Sequence, residues 1–413
     1  MTQLLTTPLT PWHQDAGATL SGFGGYSMPL WYKAGPIKEH RAVLTGAGLF
    51  DTSHMSELVV EGPDAYRLLQ KALSKDLEQC LPGGKPLTTG RATYGFFLKE
   101  NGHLLDDAIV MMEAKDTFLV VVNAGMGAPV KDHLLSLGAD LDVAVKDLTG
   151  KCCKIDLQGP RALHILKKVM RPCRQLDRAI PYFGFVGHYD HLQEDVVTLD
   201  GYGVLVSRTG YTGEFGFELF VRTDGCIPLW EALLEAGKEE GLLPCGLGAP
   251  DSLRTGAKLP LSHQDLGEWP AIGHPWEFAL CRSGDGFSKS FLGDKALLAA
   301  EGEQRIYPFL GENGRKVEAG SDVLSGDEVI GSVLTCVTDM GIDRVDGEVL
   351  SIGSPDAPDT FAPKGLSCGF VKVNTSLEPD ASLVLKDKRR ELSVKVVNDI
   401  RPDRTARMAW PDV

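Results

Sequence analysis

At 413 residues the chain is too long for one ordinary core, so two or three domains are expected. Hydrophobic residues make up 43% of it and charged residues 24%, a balance that fits a globular chain and excludes a disordered one. The formal net charge of −14 argues against a phosphate backbone as partner, so no nucleic acid is expected, while local arginines can still hold a small anionic ligand.

In chain order, the opening MTQLLTTPLTPWHQD lacks the charged start and apolar run of a signal peptide. No stretch approaches the roughly 20 apolar residues of a membrane span, so a cytoplasmic protein with no membrane partner is expected. Residues 36–46 predict an amphipathic helix, and 48–60 a turn and a strand. Apolar spacing after Gly62–Pro63 predicts a surface helix over 64–77. Residues 94–98, 105–112 and 117–122 read as consecutive strands, the first two joined by a hairpin turn at Asn101–Gly102. Helices are also predicted over 159–169, opened by Gly159–Pro160, and over 228–241. Such pieces suit an α+β arrangement with antiparallel sheets, because the steady βαβ beat of a doubly wound sheet is missing. After about Gly284, short strands over 328–335, 367–373, 382–385 and 392–397 alternate with Gly/Pro/Asp turns, which predicts a separate β-barrel or sandwich. Residues 339–363, rich in Gly, Asp and Pro, read as a long surface loop or an added hairpin. There is no internal repeat and no low-complexity tract.

Three polar features stand out. The segment 207–220, SRTGYTGEFGFELF, sets Gly210, Gly213 and Gly216 among Arg208, Tyr211, Thr212 and Glu214. Glycines at that density free the backbone for positive φ and close ligand approach. An acid, a base and an aromatic ring in one turn look like a reading head for a flat, polar heterocycle; a plain hairpin with a solvated Glu214 is the simpler reading. The second feature is 104–112, LLDDAIVMM, with two carboxylates in an apolar strand. Alternation puts Asp107 with Leu105, Ile109 and Met111, and Asp106 with Leu104, Ala108 and Val110, and does not choose between the acids. Either one, if buried, has a raised pKa suited to proton traffic, or else accepts backbone or arginine hydrogen bonds at a strand end. The third is the Asp/Ser/His-rich turn between Leu49 and Met55, where Asp51 and His54 are candidates for a substrate-side role or for structural hydrogen bonds. The nine cysteines are scattered, with no zinc-type spacing, and the ten histidines show no HExxH pattern, so free buried thiols and no metal are expected.

Taken together, the motifs resemble the glycine cleavage T-protein (aminomethyltransferase) family. They run in order: Thr7–Pro8–Leu9, Gly22–Phe23–Gly24–Gly25, Met28–Pro29–Leu30, Glu39–His40, and GLFDTSHM at 48–55. Tyr94, the Asn101–Gly102 turn, Asp106–Asp107, Val122–Asn123–Ala124, Leu157–Gln158–Gly159–Pro160, RTGYTGE at 208–214 and Cys245–Gly246–Leu247–Gly248 follow. Gly331–Ser332–Val333 and Gly369–Phe370–Val371 match more loosely.

The resemblance implies a three-domain ring of two interleaved α+β domains, 1–50 with 145–250 and 51–144 with 251–284, and a C-terminal β-barrel-like domain over 285–413. It implies tetrahydrofolate as co-substrate in a central hole, with Asp107 near the folate nitrogens as the catalytic residue and Glu214 reading the pterin. Tyr94 and Trp276 fall at channel-lining positions, and Asn123 lies beside the channel. Tyr211 belongs to the same loop, and Arg208 is expected to fix Glu214 or meet a folate carboxylate. The implied reaction passes a one-carbon unit from an aminomethyl-lipoyl carrier protein to tetrahydrofolate with release of ammonia. Departures cluster in one segment: Pro250 stands where the family has a folate-contacting arginine, Gly256 where it has a glutamate, and Ser262–His263–Gln264–Asp265 where it has a Tyr-Gly-rich stretch. Arg254, one helical turn on, is a candidate to replace the lost charge. Two further readings stand beside the first: a folate-dependent methyltransferase or demethylase acting on another N-, O- or S-methyl substrate, and a non-catalytic folate-binding protein of the same fold. The Lys-Gly-Cys-Tyr motif of the iron–sulfur-assembly branch is absent around Cys245. A monomer or weak homodimer is expected.

Overall fold

The computed structural model describes residues 3–171, 174–192 and 201–410. A six-stranded sheet runs in the order Phe185–Val186, Val204–Ser207, Gly216–Arg222, Cys152–Gln158, Ala47–Asp51 and Leu242–Cys245. Its neighbours are antiparallel except the last pair, in which Leu242 lies opposite Ala47 and Cys245 opposite Phe50 in parallel. The sheets are otherwise antiparallel, as expected, and this one pair is the exception. Gly216–Arg222 and Leu242–Cys245 are joined through the helix Cys226–Gly237, and a helical crossover returns the chain in the same direction. Cys153, Ile155, Leu157, Phe217 and Leu219 pack from one face of this sheet onto Leu163, Leu166, Leu229, Trp230 and Leu233 of the helices Ala162–Val169 and Cys226–Gly237. Each large apolar side chain buried there is worth about 1.5–3 kcal/mol relative to exposure.

A five-stranded antiparallel sheet follows the order Arg91–Leu98, Leu104–Ala114, Thr117–Val122, Ser56–Glu61 and Ala144–Asp147. The helices Ala65–Ala72 and Gly127–Leu137 cover one face of it, against Leu58, Val60, Ala108, Val110, Phe118 and Val120. The first of these helices stops well short of the predicted residue 77. Leu73 turns extended and bridges to Phe97, and Ser74 exchanges hydrogen bonds with Phe96, so the sheet captures the chain before the apolar helical pattern runs out. On the other face, Val59, Met111, Leu119 and Val121 meet Cys152, Leu205 and Phe220 of the six-stranded sheet. This packing resolves what alternation left open. Asp106 lies on the helix side with Ala108 and Val110, whereas Asp107 shares the inter-sheet side with Ile109 and Met111.

The C-terminal strands close into a six-stranded barrel in the order Arg305–Gly311, Leu366–Val373, Glu328–Asp339, Asp322–Ser325, Ser382–Lys386 and Glu391–Val396. Closure comes from Arg305–Gly311 pairing with both Leu366–Val373 and Glu391–Val396, which leaves no open edge. Phe309, Val323, Val333, Val371, Leu385 and Val394 fill its interior. The segment expected as a loop or hairpin contains the hairpin Ile342–Val345 and Glu348–Ser351, turning at Asp346–Gly347 with positive φ at both residues, as a tight hairpin requires. Its first residue, Asp339, is fully buried rather than on the surface. Beyond the barrel, residues 398–410 run back to the glycine-rich loop after Val204–Ser207. The eight described cysteines are free thiols, and Cys173 lies outside the described residues. Among the described residues no helix is long and apolar enough to cross a membrane.

Candidate active site

Asp107 sits at the end of the inter-sheet face with two hydrogen-bond donors delivered by adjacent strands. Tyr94, from Arg91–Leu98, donates its hydroxyl to Asp107 Oδ2 at 2.7 Å. Asn123, immediately after Thr117–Val122, donates its side-chain amide to Asp107 Oδ1 at 2.6 Å and to Asp106 Oδ1 at 2.8 Å. The Asn123 backbone N–H reaches Asp106 Oδ2 at 2.8 Å. One amide thus ties the two carboxylates together. Burial, and then the neighbouring charge of Asp106, push the Asp107 carboxyl up to about 6. Burial followed by the Asp107 charge raises the Tyr94 phenol, so its hydroxyl stays protonated and continues to donate. Asp106 is fully buried, and Ser262 Oγ donates to its Oδ1 at 3.0 Å. Phe278, 55% exposed, puts its ring 5.8 Å from that of Tyr94 and gives the site an apolar rim.

Trp276 is not part of this rim. It is fully buried, with its ring 5.0 Å from Phe370 of the barrel and its indole N–H donating to the Lys258 carbonyl at 2.9 Å. The aromatic rings beside Asp107 are therefore those of Tyr94 and Phe278. Tyr211 donates its hydroxyl to the Pro260 carbonyl, pinning the glycine-rich loop to the segment that carries Ser262.

In that loop, Gly213 has φ of +80°, and a Cβ there would fall 2.7 Å from the Ala257 Cβ, so only glycine fits. Next to it, Glu214 is held by the returning C-terminal segment. Arg401 Nη2 lies 3.3 Å from Glu214 Oε1, while Thr405 Oγ1 and N–H donate to Oε2 at 2.6 and 3.3 Å. Arg401 also pairs with Asp339 at 2.8 Å, and His40 Nε2 lies 2.9 Å from the other oxygen of that carboxylate. Burial opposes the Asp339 charge, yet Arg401 and then His40 outweigh it and hold the carboxyl well below the usual range. Arg208 does not fix Glu214. Its guanidinium stacks 3.9 Å over Phe215 and donates to the carbonyls of Ile180, Ala406 and Met408 at 3.3, 3.0 and 3.0 Å. Arg401 does the fixing instead.

Arg254 likewise does not stand in for the arginine missing at Pro250. It is buried and committed to Asp265, to Asp251 at 2.7 Å and to Thr335 Oγ1 at 3.3 Å. Asp265 accepts in turn from the Leu261 N–H at 2.9 Å and from Thr335 Oγ1 at 2.6 Å, which braces the turn over 261–265 against the barrel.

Asp51 and His54 lie apart from the acid pair in their bonding. Asp51 accepts from His13 Nε2 at 2.9 Å, Thr7 Oγ1 at 2.7 Å and the Ser53 N–H at 2.9 Å, and His13 in turn meets the Tyr32 hydroxyl at 2.8 Å. That network anchors the N-terminal segment. His54 is buried against the edges of Phe23 and Tyr26, and burial lowers its imidazole to about 4, so it is neutral near pH 7. A further buried cluster lies on the six-stranded sheet. Lys154 pairs with Asp156 and Glu218, both at 2.6 Å, and Thr52 Oγ1 donates to Asp156 at 2.8 Å. Alternation could have flagged it, since Lys154, Asp156 and Glu218 are charged residues inside strands that otherwise read as buried.

Residues 9–271 match the family model described as the GCVT N-terminal domain. An aminomethyltransferase from Geobacillus sp. (strain WCH70) is 41% identical over 266 residues, 64% of this chain and 67% of that protein. One from Streptomyces coelicolor is 37% identical over 338 residues, 80% of this chain and 85% of that protein. The solved glycine cleavage system aminomethyltransferase T from Bartonella henselae aligns over 99% of this chain and 100% of its own, with a TM-score of 0.78 at 24% identity, a likeness of fold.

Proposed function

This chain belongs to the aminomethyltransferase (glycine cleavage T-protein) family, and from that premise we propose that it transfers a one-carbon unit from an aminomethyl-lipoyl carrier protein to tetrahydrofolate, releasing ammonia. In the balanced step, two folate N–H bonds give way to two C–N bonds on the bridging carbon. The carbon leaves sulfur and nitrogen, and the two protons end on the departing ammonia and thiol.

The observation that carries this reading is Asp107: a carboxyl group aimed by Tyr94 and Asn123, with its proton held up to about 6. Beside a folate nitrogen, such a group stabilises the positive charge that develops as the new C–N bond forms, and its donors fix its position before reaction begins. Tyr94 and Phe278 supply stacking area for a flat heterocycle or its aryl extension. Glu214 serves as acceptor for the pterin edge. Three donors already occupy it, out of about four lone-pair positions on a carboxylate, so one N–H from the ligand completes its set.

Pro250 favours a second reading on donor choice. With no arginine there and Arg254 committed elsewhere, the segment differs from the family where ligand recognition is expected, and a methyl group on another amine, ether or sulfonium is the alternative donor. Calorimetry with tetrahydrofolate, followed by a transfer assay against an aminomethylated lipoyl carrier and a panel of methyl donors, separates the readings. Methylene-tetrahydrofolate and ammonia from the carrier are expected. Turnover with a methyl donor alone replaces the first reading by the second, and absence of folate binding sinks both.

A further inference from the structure

We propose that His263 is a positioning residue of this site, setting the charge on the Asp106–Asp107 pair and with it the pH range in which Asp107 acts as a carboxylate; this rests on the folate-transfer reading above. His263 stands in the turn over 261–265. Its Nε2 lies 3.5 Å from Asp106 Oδ1, with its side chain 48% exposed, so the ring touches the buried acid and solvent at once. The backbone is placed for that contact: His263 adopts φ of +63°, an uncommon conformation for a residue with a Cβ, and one in which His is among the more tolerated types. The turn around it is braced on both sides. Asp265 is bound by Arg254 and Thr335, Gln264 donates to Thr335 Oγ1 at 2.7 Å, and Ser262 donates to the same Asp106 oxygen that His263 approaches.

The coupling runs through charge. Asp107 carries a raised pKa because of burial and then because of the neighbouring Asp106 charge. A protonated imidazole at Asp106 offsets that charge and lets Asp107 lose its proton at lower pH. The groups facing His263 are Asp106 and Asp107, which favour its cation, and Lys99, which opposes it. Lys99 is itself partly neutralised by Glu268 at 3.0 Å, a carboxylate that His103 also approaches. Asp106 dominates, and its close approach raises the His263 imidazole above its ordinary range.

The test compares the full chain with His263→Gln, which removes the charge, and His263→Arg, which keeps it. Three readouts apply: calorimetry with tetrahydrofolate, the pH profile of kcat/KM, and titration of the aspartate carboxyls by carbon-13 NMR without ligand. The expected result is that His263→Gln moves the acid limb and the Asp107 titration upward by about half a pH unit or more, while His263→Arg leaves both at or below the wild-type position. If the wild type binds folate and turns over, but all three proteins share one acid limb and one carboxyl titration, the proposal is overturned. A wild type that binds no folate refutes the functional reading instead, and the NMR titration still decides whether His263 tunes the pair.

Discussion

Asp107 must be ionised to stabilise positive charge, yet its surroundings favour the proton. Asp107→Asn keeps a side chain that can hydrogen-bond Tyr94 and Asn123 but removes the charge. Turnover is expected to fall by about 10²–10³, equivalent to about 2.7–4 kcal/mol, with little change in KM for the folate. Full turnover in that variant would remove Asp107 from its role. The same substitution carries a stability signature. The folded state binds the Asp107 proton more tightly than the unfolded chain, so the stability this proton supplies is present at low pH and is lost as pH rises from about 4 to about 6. Thermal melts should therefore show wild-type Tm, relative to Asp107→Asn, declining across that window. A difference independent of pH would mean that the carboxyl titrates normally. Much of this geometry is legible in the chain, because Tyr94 and Asp107 lie on, and Asn123 directly after, consecutive hairpin-linked strands whose register follows from short turns. The choice between Asp106 and Asp107 is not legible, because both faces of Leu104–Ala114 are apolar and only the packing of helices on one side separates them.

Among the elements, the helix Gly248–Gly256 and the turn that follows it show how a charge that spacing offers to a ligand can be used inside the fold. Arg254 reads from spacing as a charge one turn beyond Pro250. In the fold it is an internal brace, because Asp265 and Asp251 reach it before any ligand can. Arg254→Leu strands the buried Asp265 carboxylate and is expected to cost about 3–5 kcal/mol in urea unfolding. The pair Arg254→Leu with Asp265→Leu should recover most of that loss, since no lone charge remains. Equal losses for the single and double variants would show that shape, not charge pairing, holds the turn. Helix limits follow the same lesson. Apolar spacing extends to Leu77, but Ala65–Ala72 ends where Leu73 and Ser74 join the neighbouring sheet edge, and hydrogen bonding to a sheet outweighs one more helical turn.

For the molecule as a whole, the site is finished by a part of the chain far from it in sequence. Arg401 touches Asp339, Glu214 and the Thr212 carbonyl, so one guanidinium joins the barrel, the glycine-rich loop and the C-terminal segment. Arg401→Met is expected to cost about 3–5 kcal/mol by leaving the buried Asp339 carboxylate without its guanidinium partner and with only His40 beside it, and to weaken tetrahydrofolate binding as Glu214 loses its hold. Urea unfolding and calorimetry check the two effects, and unchanged folate affinity would detach Glu214 from pterin recognition. No spacing rule reaches from Glu214 to Arg401. The contact between Arg401 and the Thr212 carbonyl spans 189 residues, and only the closed barrel brings its ends together. That separation also has a consequence in time. A ribosome adds about 5–20 residues per second, so roughly 10–40 s pass between delivery of the loop and delivery of the arginine that secures it. Throughout that interval the nascent chain holds Glu214 without Arg401 and Thr405, so the contacts that fix its carboxylate form only after those residues have emerged.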